Sequence, residues 1–441
     1  MKKLSLLVAG LFVMPPVHAE DLLQVYRAAL SSDPVYASAR AARNAGLESM
    51  PQGMAALLPV ISATANTQMN DYNIGFRGAA PDSPREGNTY AYNVNLTQPL
   101  FNWQSFLVYK EAGFKVAQAE AVFGQAAQDL IVRVSQAYFD VLASQDSLAF
   151  IRAQKVAISE QLAQAKRNFE VGTATIVDTH EAQSRYDLGV SQEIAAENDL
   201  EIKRQTLRQI IGILPKELTA LRPQVVLVPP EPSIMDKWVA AAEQTNFAVQ
   251  GQAAAVEVAD REVDRFRAGH YPTVNLVANI GQNSSSLSTA GVTSIATDTT
   301  YRTIGVQLAI PLYAGGNVGS QVRQAMANRE KARQDLENAR RTAALSARQS
   351  YLGVTNGTAQ VKALDQALVS SQSSLESNKL GYEVGVRINI DVLNAQQQLF
   401  STKRDLSKAR YDTIMAGLKL RAASGTLGEE DVQRVNALLG K

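Results

Sequence analysis

The feature that most constrains this chain is an internal repeat with a fixed offset of 213 residues. The matched positions are Pro59 and Pro272, Val171-Gly172 and Val384-Gly385, Asp178 and Asp391, Leu207 and Leu420, and Gly212 and Gly425. Landmarks that recur at one offset indicate two copies of one supersecondary unit. We therefore predict a first structural repeat over residues 20–222, a Pro-rich junction over 223–232 and a second structural repeat over 233–441.

The first residues have the pattern of an export signal. Lys2 and Lys3 precede an apolar run over residues 4–14, and Val17-His18-Ala19 forms a small-x-small cleavage site. The apolar run is too short for a stable membrane anchor, and this pattern is typical of a secretory signal peptide. We predict that residues 1–19 are a signal peptide and that the mature chain leaves the cytoplasm.

Each repeat contains a long stretch with helical periodicity and without proline. No proline stands between Pro99 and Pro215, and none follows Pro311. A 4-3 spacing, which is the seam of a coiled coil, selects mostly apolar residues. These residues are Leu130, Val134, Ala137, Val141, Ser144, Leu148, Ile151, Lys155, Ile158, Leu162, Ala165 and Phe169. A helix from Trp103 to Val171 would be roughly 100 Å long. Such a helix must pack against other helices along its length.

The strands have an alternating pattern. Tyr90, Tyr92, Val94 and Leu96 alternate with small or polar residues, and two segments of the second repeat do the same. One apolar and one polar face over about ten residues is typical of a membrane β-strand, although a soluble sheet with one wet face would alternate equally well. The long polar segments 71–89 and 284–300 are predicted hairpin loops. Each repeat is thus predicted as helix, β-hairpin, very long helix and second helix, a mostly α member of the α+β class.

Four strands cannot close a barrel, because open strand edges in lipid leave backbone groups unpaired. At least eight strands are needed, so two copies would supply eight strands and three would supply twelve. The sequence therefore predicts an oligomer.

Composition and motifs exclude several classes of function. The net charge of +1 provides no broad basic surface for nucleic acid, and the absence of Cys excludes thiolate metal sites and disulfides. No catalytic motif is found, so we predict neither a cofactor nor a metal site nor an enzyme. No run of about 18 apolar residues without charge follows the signal peptide, so no transmembrane helix is predicted.

Several motifs, in this order on a duplicated chain, resemble the TolC family of outer-membrane efflux and secretion channels. They are Leu22-Leu23-Gln24-Val25-Tyr26, Gln98-Pro99-Leu100-Phe101, Val171-Gly172 with Asp178, Ile310-Pro311-Leu312-Tyr313-Ala314-Gly315-Gly316, Gly381-Tyr382-Glu383-Val384-Gly385 and Ile390-Asp391-Val392-Leu393. The resemblance implies a homotrimer with a twelve-strand barrel in outer-membrane lipid and a coiled-coil α-barrel in the periplasm. It also implies export of proteins or small toxic compounds, together with a periplasmic adaptor and an inner-membrane ABC, RND or similar pump. The alternatives are a general diffusion porin and an exported structural coiled-coil protein.

The resemblance also implies a gate at the periplasmic mouth. By position, Asp178 and Tyr382 match one polar link of that gate, and Arg387 matches the arginine of another. Asp391 matches the aspartate at the narrowest opening, whereas Asn394 replaces a second aspartate. Three copies of Asp391 would form a carboxylate ring that favours cations and binds trivalent cations weakly.

Two further departures concern the strength of the gate. Val177 replaces a threonine that accepts from the arginine, and Lys379 replaces a glutamate, so the closed gate is predicted to have fewer polar links. The turns Gly172-Thr173 and Gly385-Val386 match the positions where adaptors dock in the family.

Simpler roles remain open for the same residues. Asp178 and Asp391 each follow a turn and could be helix N-caps. Tyr382 lies on the helical seam and could only pack, and Arg387 could be a solvated surface charge. Gly172 and Gly385 could serve as helix C-caps.

Overall fold

The computed structural model describes residues 19–75, 77–78, 83–223, 225–286 and 296–440. The predicted signal peptide lies outside the described residues except for Ala19. The elements in chain order are α1 Leu22–Ser32, α2 Pro34–Leu47, α3 Ser49–Ala55, β1 Val60–Ile74, β2 Ser83–Phe101, α4 Trp103–Glu170, α5 Ile176–Ile211, α6 Met235–Thr245, α7 Phe247–Arg267, β3 Thr273–Ser285, β4 Thr297–Ala309, α8 Asn317–Glu383, α9 Asn389–Ala423 and α10 Glu429–Asn436. Helix α4 has 68 residues and ends one residue before the predicted limit.

The chain forms two compact units. The first unit contains the described parts of Met1–Arg40, Gly124–Phe247 and Arg340–Lys441. The second contains the described parts of Ala41–Phe123 and Ala248–Ala339. Each unit takes segments from both sequence repeats, and the sheet of the second unit joins β1 and β2 of the first repeat to β3 and β4 of the second.

The second unit contains one antiparallel sheet with the strand order β1-β2-β3-β4. Val60 pairs with Thr97 at the start of the first ladder, and Thr273 pairs with Ala309 at the end of the third. The ladder between β2 and β3 has an irregularity between Pro99 and Phe101, where proline cannot donate a backbone hydrogen bond. Strands β1 and β4 are the two edges.

The predicted hairpin loops were too long. Asp71 pairs with Glu86 in the first ladder, and Ser285 pairs with Thr297 in the third, so the strands continue into both polar segments. An antiparallel ladder needs only paired backbone groups, and polar side chains on either face do not interrupt it. Polarity therefore marks where the apolar alternation ends and not where the strand ends.

The apolar face of β2 is the more exposed one. Tyr92 is 57% exposed, and Tyr90 and Val94 are exposed beside it, whereas Ala91 and Asn93 are half-buried. A soluble sheet buries its apolar face and hydrates the polar one. The orientation here is the reverse, and it suits a sheet whose apolar face contacts lipid.

Small residues bring the helices of the second unit close together. Gly53 of α3 lies so near α4 that an added Cβ would be 2.6 Å from the Cβ of Ala112, and Gly46 of α2 lies equally close to Ala119. Between α4 and α7, the buried carboxylate of Glu111 contacts Lys115 at 2.6 Å and Arg265 at 3.6 Å.

The largest apolar core lies in the first unit. It joins α1, the middle of α4, the end of α5, α9 and α10, around the fully buried Tyr138, Phe139 and Leu207. The Tyr138 hydroxyl donates to the backbone carbonyl of Thr219 at 2.7 Å, and the Tyr411 hydroxyl donates to Asp146 at 2.8 Å. Burial raises the pKa of both tyrosines.

The predicted seam of α4 is the buried face of that helix. The seam residues from Leu130 to Leu148 and from Ile158 to Ala165 are buried, except for Ile151 and Lys155, which are half-buried between them. Phe169, at the end of the seam, is exposed. The periodicity therefore predicted the packing face correctly over most of its length. Among the described residues, no helix is long and apolar enough to cross a membrane.

Candidate gate at the helical hairpin turns

The predicted site residues lie in two turns of the first unit and in the helix ends that flank these turns. The first joins α4 to α5 over residues 171–175, and the second joins α8 to α9 over residues 384–388. Gly172 and Gly385 have φ values of 77° and 80°, which glycine adopts without strain. In both turns, backbone N–H groups donate to the last carbonyls of the long helix. The two glycines terminate the helices, as the capping interpretation predicted.

The first turn is held by side-chain caps. The Thr173 N–H donates to the carbonyl of Asn168 at 2.8 Å, and the Thr173 hydroxyl donates to the same oxygen. Thr175 is the N-cap of α5, and its N–H and hydroxyl both donate to the Asp178 carboxylate, at 3.0 and 2.8 Å. Asp178 is thus the third helical residue of a capping box, three positions after the N-cap.

The second turn is held differently. Ile388 is the N-cap of α9 and offers no side-chain acceptor, while Asp391 lies in the first turn of the helix. Arg387 Nη1 lies 3.6 Å from Asp391 Oδ2. An added Cβ on Gly381 would be 2.7 Å from Arg387 Cγ, so this glycine allows the arginine side chain to lie over the end of α8.

Tyr382 links the two helical hairpins. Its hydroxyl accepts a hydrogen bond from Asn168 Nδ2 at 3.1 Å, and Asn168 belongs to the last turn of α4. Asp178, the partner that the resemblance implies, uses its carboxylate in the capping box of α5. The link therefore joins the same two hairpins through a different residue.

Asn168 is not among the gate residues predicted from the sequence. One signal was present, because residues 167–172 are a copy of residues 380–385 in the repeat, and Asn168 directly precedes the repeat equivalent of Tyr382.

Arg185 is a second residue of the site that was not predicted from the sequence. Its guanidinium donates to Asn394 Oδ1 at 3.0 Å and also to Gln397, so it joins α5 to α9. Arg185 lies seven residues after Asp178, which places it two helical turns further along the same face. Its heptad spacing from Asp178 was the available signal. Asn394 therefore acts as an acceptor for a cation of the other hairpin.

Apolar packing supports these polar links. Ala182 of α5 packs with Leu393 of α9 and with Leu162 and Ala165 of α4 in one buried cluster. Tyr382 packs against a second cluster, which contains Leu375 and Leu399. The packing role proposed for Tyr382 and its hydrogen bond are thus both observed.

The surface of the two turns is apolar and exposed. Val386 is 76% exposed and Val177 is 64% exposed, and Val171, Val384 and Ile388 are similarly open. Isolated exposed apolar residues are common on protein surfaces, but a cluster of them marks an interaction site. Gly172, Thr173 and Gly385 are exposed in the same turns.

Ion pairs hold the first hairpin together above its turn. Arg152 of α4 contacts both Glu193 and Glu197 of α5, and Lys155 also contacts Glu193. Hydrogen bonds from Lys155 and Arg152 lower the pKa of Glu193. Within the described ranges, no group of acidic and His side chains could hold a metal ion.

The family comparison matches the chain twice. The model described as "Outer membrane efflux protein" matches residues 25–213 and again residues 238–426. The second match begins 213 residues after the first, which confirms the predicted offset.

Named relatives cover nearly the whole chain. Outer membrane protein TolC of Vibrio cholerae is 35% identical over 96% of this chain and 94% of its own length. TolC of Escherichia coli is 32% identical over 100% of this chain and 90% of its own. The alkaline protease secretion protein AprF of Pseudomonas aeruginosa is 31% identical over 99% of this chain and 92% of its own.

Solved structures share the fold. The outer membrane protein VceC of Vibrio cholerae has a TM-score of 0.76 at 18% identity, covering 92% of this chain and 96% of that one. The CmeC outer membrane channel of Campylobacter jejuni has a TM-score of 0.79 at 16% identity, covering 96% of this chain and 90% of that one.

Proposed function

This chain belongs to the outer membrane efflux protein family, and from that premise we propose that three copies assemble into one export channel. As a member of this family it is an outer-membrane channel for the export of proteins and compounds. One observation supports the proposed trimer: the sheet is open, and its edges are β1 and β4. In lipid, unpaired edges are too costly, so β4 of one copy must pair with β1 of the next.

The number of strands favours three copies over two. Two copies would form an eight-stranded barrel, whose interior is just wide enough to be filled by side chains. Twelve strands leave a wider lumen, which an export channel requires. The less exposed polar face of β2, with Asn93 and Asn95, would line that lumen, and the exposed tyrosines would face lipid.

Cysteine crosslinking tests this assembly cleanly, because the chain has no native Cys. Ser62 of β1, Asn95, Asn279 and Thr303 of β4 lie in one row of the sheet and therefore on one face. Ser62→Cys would be combined, one pair at a time, with a Cys substitution at each odd-numbered residue from Thr299 to Gln307, since these residues share the face of Thr303. At least one pair is expected to give, on oxidation, a ladder that ends at three chains.

Two controls make the crosslinking decisive. Ser62→Cys alone should give no ladder, and Ser62→Cys with Ile304→Cys should give none because the two residues lie on opposite faces. Light scattering in detergent measures the mass independently. A ladder ending at two chains, or a particle of trimeric mass without any crosslink, would contradict the pairing of β4 with β1.

We also propose that the two hairpin turns form the periplasmic gate, with Asp178, Tyr382, Arg387, Asp391 and Asn394 as its polar residues. The hydrogen bonds from Asn168 to Tyr382 and from Arg185 to Asn394 support this assignment, because each joins one hairpin to the other. Separating the hairpins would break both bonds. The absence of a side-chain N-cap at Ile388 leaves the second turn with fewer polar contacts than the first.

The exposed turns are proposed as the docking site for a periplasmic adaptor, through Gly172, Thr173, Gly385 and Val386. Their apolar surroundings support this role, since water-exposed clusters of valine and isoleucine favour a protein partner. We propose that an inner-membrane pump of the ABC, RND or a similar class supplies the energy and that this chain has no catalytic activity of its own. The name of the relative AprF refers to alkaline protease secretion, which makes a protein cargo the first candidate.

The domain limits are retained as part of the proposal, with a signal peptide over 1–19, structural repeats over 20–222 and 233–441 and the junction over 223–232. The two alternatives find no support. A general diffusion porin does not require helices of 68 and 67 residues. An exported structural coiled coil does not require a sheet that exposes Tyr90 and Tyr92.

A further inference from the structure

A cavity of about 550 Å³ lies in the second unit where the strands meet the helices. Trp103, the first residue of α4, follows the end of β2 by two residues, and Tyr271 precedes the start of β3 by two. Both line the cavity, which lies between the first turns of α4 and the last turns of α7. Its volume is in the range that accommodates a small ligand or a lipid headgroup.

Aromatic rings form one part of the lining. Trp103 and Phe106 stack with ring centroids 5.0 Å apart, and Phe114 lies two turns further along the same face of α4. Trp103 is 40% exposed, and Tyr271 is also exposed. Partly open aromatic side chains at the ends of membrane strands are typical of the boundary between lipid and water.

Cationic side chains form the other part of the cavity lining. Lys110, Arg261 and Arg267 line the cavity together with a single carboxylate, that of Asp264. Arg267 Nη1 lies 3.5 Å from Asp264 Oδ1, and Arg261 lies 3.9 Å from the other carboxylate oxygen. Arg261 also lies 3.8 Å from Glu257, which is outside the lining. The lining itself therefore keeps an excess of two positive charges, and the cluster that includes Glu257 an excess of one.

Two of these cations are placed over aromatic rings. Lys110 Nζ lies 5.4 Å from the centroid of Phe106, and Arg261 Cζ lies 5.6 Å from that of Phe114. Arg261 Nε is buried and lacks a hydrogen-bond partner in the described part of the chain. A donor without an acceptor in a cationic cavity indicates that an anionic acceptor completes it.

We propose that this cavity holds the headgroup of an anionic phospholipid from the periplasmic leaflet of the outer membrane. The phosphate accepts hydrogen bonds from the guanidinium and ammonium groups, and the glycerol backbone packs on Trp103 and Tyr271. A zwitterionic headgroup would bring its own cation into a site that already carries excess positive charge. The inference rests on the proposed crossing of the membrane by the four strands.

Tryptophan fluorescence provides a direct test. The chain has two Trp, and Trp238→Phe leaves Trp103 as the only one. The channel would be reconstituted into phosphatidylcholine vesicles that contain a small, fixed fraction of lipid with brominated chains. Brominated phosphatidylglycerol should occupy the site with a roughly fivefold preference over brominated phosphatidylcholine and quench Trp103 correspondingly more.

Charge variants separate the cavity from general surface attraction. Lys110→Gln with Arg267→Gln should reduce the preference to near one. The matched control is Arg323→Gln with Lys331→Gln on α8, which removes the same charge from exposed side chains outside the lining and should retain the preference.

The other outcomes distinguish failure of the headgroup site from failure of the proposed membrane crossing. Equal quenching of Trp103 by both brominated lipids would overturn the headgroup site while leaving the membrane crossing intact. Quenching by neither lipid would show that the strand ends do not lie in a bilayer, which would contradict the proposed membrane function itself. If the charge variant fails to assemble, the comparison of the two lipids on the Trp238→Phe protein still decides whether the cavity prefers an anionic headgroup.

Discussion

At the scale of single residues, the partners of the gate residues determine the charge of the proposed mouth. Asp391 lies 3.6 Å from Arg387 of its own turn, and Asn394 accepts from Arg185 of the other hairpin. The carboxylate ring that the sequence predicts is therefore accompanied by six guanidinium groups in a trimer. Charges this close partly cancel each other's potential.

Arg185→Gln should strengthen both cation selectivity and block by a trivalent cation. Removing three positive charges near the Asp391 ring lowers the dissociation constant for a trivalent cation by roughly tenfold, at about 1–4 kcal/mol per close charge pair. The measurement is planar-bilayer conductance against the trivalent cation added from the periplasmic side. Asp391→Ala should abolish the block.

The matched control for Arg185→Gln is Lys408→Gln, an exposed cation of α9 that pairs with Asp412 of the same helix. It should leave the block unchanged. Asn394→Asp should strengthen the block less in the natural protein than in Arg185→Gln, because the new carboxylate would face the guanidinium. Equal effects in both backgrounds would show that Arg185 does not face the constriction.

At the scale of elements, the two helical hairpins are the units that must separate for the mouth to open. One buried apolar cluster, with residues of α4, α5 and α9, holds the two hairpins together, and single hydrogen bonds join them beside it. Each such bond contributes about 0.5–1.5 kcal/mol net, so a few of them set the opening equilibrium. The long helices themselves need no internal change.

Tyr382→Phe combined with Arg387→Ser should raise single-channel conductance. The change removes the acceptor for Asn168, which joins the two hairpins, and the ion pair from Arg387 to Asp391 within the second turn. Losing one hydrogen bond between the hairpins, at about 0.5–1.5 kcal/mol, shifts the opening equilibrium by roughly two- to tenfold. Tyr351→Phe on the same helix is the matched control, because it removes a tyrosine hydroxyl that bonds the carbonyl of Ser233 instead. Unchanged conductance in intact oligomers would mean that Tyr382 and Arg387 only pack or cap.

At the scale of the whole molecule, stability depends on buried polar pairs as well as on the apolar core. Asp33, at the junction of α1 and α2, is 3% exposed and accepts from Arg133 of α4 at 2.6 and 3.3 Å. Burial alone raises the pKa of the Asp33 carboxyl, but hydrogen bonds from Arg133 and from the Tyr36 N–H outweigh it. The net pKa is therefore lowered.

Asp33→Asn should destabilise the fold by about 1–3 kcal/mol near neutral pH, the usual value for losing a charged hydrogen bond. A carboxyl with a lowered folded pKa stabilises fully above its unfolded pKa, and the contribution is lost as pH falls through the folded pKa. The difference between natural and variant proteins should thus be constant between about pH 5 and 7 and shrink below about pH 4. The measurement is loss of helical circular dichroism in urea.

Asp412→Asn removes the same charge from an exposed ion pair and serves as the control for Asp33→Asn. Its effect should be small at every pH, as expected for a surface pair. Burial raises the pKa of Asp146, but this carboxyl is common to all three proteins and cancels in the differences. A destabilisation by Asp33→Asn that persists unchanged at pH 3 would contradict the assigned ion pair.

The sequence by itself determined the features that depend on local chemistry. The repeat offset, the limits of α4, the buried seam from Leu130 and the turns at Gly172 and Gly385 all follow from periodicity, proline and glycine. Each of these signals acts within a few residues, so it is visible in a single sequence. The proposed class of function followed from the order of such signals along the chain.

Only the tertiary structure decided which side chains meet. Tyr382 bonds Asn168, Arg185 bonds Asn394, and Lys110 and Arg267 line one cavity, although each pair is separated by more than 150 positions in the sequence. The ends of the strands were also decided there, because ladder pairing carried polar residues such as Asp71 into β1. These choices depend on how hairpins pack and register against one another, and no local pattern encodes a partner that distant in the chain.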